Sequence, residues 1–71
     1  MDPWLQQAVE ALGGGAELSA GDERALLELA KVAAHTSGAR TNAPLVCYLV
    51  GRLQGDRPVA DAVEDVLRST S

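Results

Sequence analysis

A chain of 71 residues has room for one small core, which predicts a single helical domain over residues 1–71. Ten Asp and Glu against six Lys and Arg give a formal charge of −4, and the basic residues are scattered, which argues against a grip on nucleic acid or an anionic membrane. The 46% hydrophobic content comes mainly from Leu, Ala and Val, with Trp4 and Tyr48 the only aromatic rings, a composition suited to packed helices. The lone Cys47 cannot form an internal disulfide, and no segment has the basic start and apolar stretch of a secretion signal, so a reducing cytoplasmic setting is expected. The longest apolar run, Leu45 to Val50, is too short to cross a bilayer. A chain this short hides only about 60% of its unfolded surface on folding, which leaves homo-oligomerisation open.

Asp2 can accept from the free amides of a helix start, and Pro3 suits a first-turn position that needs no donor. Trp4, Leu5, Ala8, Val9 and Leu12 follow at helical spacing until Gly13-Gly14-Gly15 stops the helix near Leu12. Trp4 and Leu5 are expected to pack this helix onto the body, because Trp4 is the largest side chain available to a small core. Ser19 and Asp22 then predict a capping box for a second helix. In that helix Leu26, Ala30 and Ala33 form a stripe widened by Leu27, Leu29 and Ala34, while Arg24, Glu28, Lys31 and His35 share a wet face. Thr36, Ser37 and Gly38 end it, and a connector runs from Ala39 to Ala43.

Thr41 and Asn42 are candidate caps for a third helix, with Pro44 in its first turn and Ala43 biased towards an extended backbone. From Leu45 the chain is apolar on almost every side. A helix is favoured over a strand because Leu49, Arg52 and Leu53 continue the helical pattern and no neighbouring segment offers a strand partner. Cys47, Gly51 and Gly55 lie four apart and predict a narrow ridge for close helix contact, with C-terminal weakening the alternative at Gly51. After the connector Gly55 to Pro58, a fourth helix sets Val59, Ala62, Val63, Val66 and Leu67 against Asp61, Glu64, Asp65 and Arg68, and frays at the Ser-Thr-Ser tail. The expected architecture is all-α, a compact bundle of four short helices with antiparallel neighbours.

Little chemistry is concentrated along the chain. One His and one Cys on different elements, with no paired-ligand motif, predict no metal and no cofactor. Burial of Cys47 within an apolar run disfavours the thiolate that a nucleophile activated by His35 would need. Gly13-Gly14-Gly15 lacks the Lys-Ser or Lys-Thr and the preceding strand of a phosphate loop. Asp61, Glu64 and Asp65 are explained as the wet side of a helix, so no enzyme is expected. The remaining set is His35, Arg40 and Thr41, gathered around the connector between helices two and three. Arg40 can fork to a carboxylate or phosphate, His35 can donate from a ring nitrogen, and Thr41 can orient the same oxygen. These three are the candidate partner-binding residues. A structural alternative has His35 capping helix two, Arg40 solvated, and Thr41 or Asn42 capping helix three.

The segments WL at residues 4–5, LLELAKVAAH at 26–35 and RTNAPLVCYLVGRLQG at 40–55 resemble a small actinobacterial helical domain family of unknown biochemical function, found alone or attached to molybdenum-cofactor guanylyltransferases. The resemblance covers about residues 4 to 55 and is carried by Ala34-His35, Arg40, Ala43-Pro44, Leu49 and Gly51 in combination. Val46-Cys47-Tyr48 stands where that family commonly has Thr-Thr-Phe, and Gly13 to Glu17 is looser than its short turn. The resemblance implies an accessory domain with a protein partner connected with molybdenum-cofactor biosynthesis. It does not bring the transferase activity, because the nucleotide-binding strand-loop-helix machinery is missing from this chain. The expected function is therefore a small accessory or protein-interaction domain, possible as a homo-oligomer. The alternative is a small anion-binding module using His35 and Arg40.

Overall fold

The computed structural model describes residues 1–70, which form four helices and no strand: α1 (Pro3–Ala11), α2 (Ala20–Ser37), α3 (Asn42–Leu53) and α4 (Val59–Thr70). Local rules account for most of the boundaries. At the start of α1 the Leu5 amide donates to the Asp2 carboxylate at 2.8 Å. At the start of α2 the Asp22 amide donates to Ser19 Oγ at 3.0 Å and the Ser19 amide donates to Asp22 Oδ2 at 3.4 Å, which completes the expected capping box. Gly38 closes α2 in the left-handed conformation, φ +73°. At the chain's far end Ser69 and Thr70 continue α4 rather than fraying; Ser71 lies outside the described residues.

The start of α3 departs from the expected capping. Thr41 has a helical backbone and its side chain makes no cap bond, and Asn42 already belongs to the helix. The connector supplies the closure instead, with the Asn42 amide donating to the Ala39 carbonyl at 3.0 Å and the Ala43 amide to the Arg40 carbonyl at 3.1 Å. That tight turn holds Ala43 helical despite the bias from Pro44, which does sit in the first turn.

The core is formed by Leu29 from α2, Val50 from α3, and Ala62 and Val63 from α4. Ala25, Leu26, Val46, Cys47, Val59, Val66 and Leu67 pack around it. Helix α2 is the spine: α3 and α4 both lean along it, while α3 and α4 approach each other only narrowly. The wet face of α2 (Arg24, Glu28, Lys31, His35) and that of α4 (Asp61, Glu64, Asp65, Arg68) are exposed as their patterns require.

Two packing expectations are overturned. Trp4 is 73% exposed, and no Cα of α1 comes within 8 Å of a Cα on another helix. The expected all-α bundle of four short helices stands, with α1 attached beside a core drawn from the other three and Leu5 in a shallow recess that it lines with Leu18, Leu26 and Leu27. The Cα radius of gyration, 12.5 Å, exceeds the roughly 11 Å typical of a compact chain of this length, consistent with that outlying helix. The small-residue ridge also fails as a helix contact. A Cβ built on Gly51 meets no atom within 4 Å, and Gly55 lies beyond α3 in a left-handed turn, φ +62°. Val46, Cys47 and Val50 set the inward side of α3, which leaves Gly51 on its flank.

Candidate functional site

His35 lies in the last turn of α2, Arg40 in the connector and Thr41 just before α3, all three exposed. Among the described residues their side chains make no hydrogen bond or ion pair with one another or with a neighbour. The hydroxyls of Thr36 and Ser37 donate back to the Val32 and Ala33 carbonyls at 3.0 and 2.6 Å, so α2 closes through these groups and Gly38. At α3 the first two amides are taken by the connector and Pro44 has none to offer, so an anion at this corner would depend on side chains rather than on a helix N-terminus.

A different surface exposes more large apolar side chains. Leu45, Tyr48, Leu49 and Leu53 are 57%, 59%, 51% and 74% exposed along one side of α3. Arg52 stands among them, donating from Nη1 to Tyr48 Oη at 3.1 Å with its guanidinium 5.9 Å from the ring centroid. This stripe borders two adjoining depressions of about 320 and 340 Å³ that share Val46, Leu49 and Val66. They exist because α3 and α4 lean on α2 without closing on each other. Together they form an apolar groove, with Gln54, Arg57 and Asp65 at one end and Thr36, Ser37, Asn42 and Thr70 at the other.

An ionic latch pins the first end. Arg57 Nη1 meets Asp65 Oδ2 at 2.5 Å, Arg68 also pairs with Asp65, and Gln54 Nε2 donates to the Arg57 carbonyl at 2.9 Å. The Arg68 and then the Arg57 hydrogen bonds hold the Asp65 carboxyl below the ordinary aspartate range. Inside the bundle, burial pushes the Cys47 thiol up, and its Sγ lies 3.8 Å from the Leu26 carbonyl as a weak donor, which suits a packed cysteine better than a nucleophile. Among the described residues no group of three or more His, Cys, Asp or Glu is placed to hold a metal ion, and no helix is long and apolar enough to cross a membrane.

The α3 stripe offers binding chemistry. Tyr and Arg beside exposed leucines are the side chains that dominate protein contacts when water is removed from them. Sequence reasoning passed over this face, although a signal was present: α3 is apolar on almost every side, while only one side of it can be turned into so small a core.

The chain belongs to the family described as Domain of unknown function (DUF6457), whose model matches residues 1–71. No curated protein and no solved structure matches it.

Proposed function

We propose that this member of the family is a non-catalytic protein-interaction module that docks a partner on the outward face of α3. The observation that carries the reading is the exposed stripe Leu45, Tyr48, Leu49, Arg52 and Leu53 beside an apolar groove. A groove between helices, bordered by apolar side chains at helical spacing, suits an amphipathic helix laid along it. Arg52 adds a directional contact for a carboxylate at the edge. The resemblance of residues 4 to 55 supports a partner connected with molybdenum-cofactor biosynthesis, and the lone Cys47 supports a reducing cytoplasmic setting. A second reading keeps His35, Arg40 and Thr41 as an anion-binding corner, supported by their exposure and uncommitted side chains.

Affinity capture from native lysate separates the two. The unaltered chain is compared with Leu49→Asp, Arg40→Ala and His35→Ala, each checked for its helical circular dichroism. A protein retained by the unaltered chain and by the Arg40 and His35 variants, but lost on Leu49→Asp, is the expected result. Loss on Arg40→Ala with retention on Leu49→Asp transfers the function to the corner. Equal retention by all four folded chains contradicts both readings.

A further inference from the structure

Resting on the α3 docking surface just proposed, we infer that one helix it accepts is α1 of a second copy of this chain, exchanged between the two copies. Helix α1 has the required apolar side and leaves most of it uncovered, with only Leu5, Ala8 and Val9 half-buried. Trp4 and Leu12 are 73% and 86% exposed, and no residue of α1 is buried. The two surfaces match in length, because Trp4 to Leu12 and Leu45 to Leu53 each span eight helical steps, about 12 Å. They also match in charge. Asp2 and Glu10 are the only charged side chains in residues 2–16, whereas Arg52 is the only one in residues 41–55. Glu10 falls opposite the apolar stripe of α1, so the charge contrast at the contact rests on Asp2 and Arg52.

The tether permits the exchange. Gly13, Gly14 and Gly15 all have positive φ, at +101°, +78° and +87°, a backbone that residues with side chains seldom adopt and that glycine can leave at little cost. Swinging α1 away gives up only the shallow packing of Leu5 beside Leu18, Leu26 and Leu27, since no Cα of α1 lies within 8 Å of a Cα on another helix. A two-fold arrangement then places each α1 in the other copy's groove, giving two identical contacts from one sequence.

Trp4 is the only tryptophan, so its emission reports the docking directly. The full chain is diluted from millimolar to micromolar concentration while its mass is followed by sedimentation and Trp4 by fluorescence. The expected result is a doubling of mass at high concentration accompanied by a blue shift of Trp4 emission. Both changes should be lost in Leu49→Asp, and the mass change should be lost in Trp4→Ala, with helical circular dichroism intact in each. A chain that stays monomeric up to millimolar concentration overturns the exchange, as does a dimer in which Trp4 emission does not move, or a blue shift that is independent of concentration. In any of these cases, a captured protein still lost on Leu49→Asp leaves the docking surface standing and removes only α1 as its occupant.

Discussion

At the scale of single residues, exposure sets the expected effects more firmly than residue type. Leu29 is 1% exposed at the meeting point of three helices, so Leu29→Ala should cost about 2–5 kcal/mol, a large part of what so short a chain has. Urea denaturation should show that loss directly. Trp4→Ala, at a much larger side chain, should change the stability of the dilute monomer by less than about 0.5 kcal/mol because its ring is already in water. Gly51→Ala should stabilise the chain by roughly 0.5–1 kcal/mol, since the added methyl meets only open space and the helix gains propensity. A lower thermal midpoint for Gly51→Ala would instead restore the close contact that the small-residue spacing suggested.

At the scale of elements, the boundaries were legible in the sequence because they depend on neighbours a few residues apart. Asp2 with Pro3, Ser19 with Asp22, and Gly38 each act within one turn, and the structure places them accordingly. What each stripe would face was not legible. The apolar spacing of α1 is sound as a helix pattern, yet it does not say how closely another helix approaches, and here only Leu5 meets the side of α2. For α3 an all-round apolar sequence left the inward side undecided, so the exposure of Leu45, Leu49 and Leu53 was not legible, whereas His35, Arg40 and Thr41 stood out by residue type. Helix α4 carries an element-level prediction of its own. Asp65 is held charged by Arg68 and Arg57, so its folded pKa lies below its unfolded value, roughly 3.9. Its contribution is complete above that unfolded value and is lost as pH falls through the lower folded value. Exposure of all three side chains keeps the effect small. Asp65→Asn should therefore lower the midpoint slightly at neutral pH and flatten its decline in acid, as thermal melts across pH 2–7 would show.

For the whole molecule, the arrangement is a spine with two helices leaning on it and a third hung outside. Amide hydrogen exchange should report that division, with α1 amides exchanging through local opening while those around Leu29 and Val63 wait for global unfolding. The same arrangement explains the open groove, because α3 and α4 share α2 and do not seal against each other. The proposed docking site rests on this exposed apolar surface. The most direct test uses leucine-methyl spectra of the full chain, recorded before and after adding the protein it retains from lysate. The account predicts that the methyls of Leu45, Leu49 and Leu53 shift while that of Leu29, within the core, stays close to its original position. Shifts confined to residues around the α2–α3 connector, with those three leucines unmoved, would contradict it.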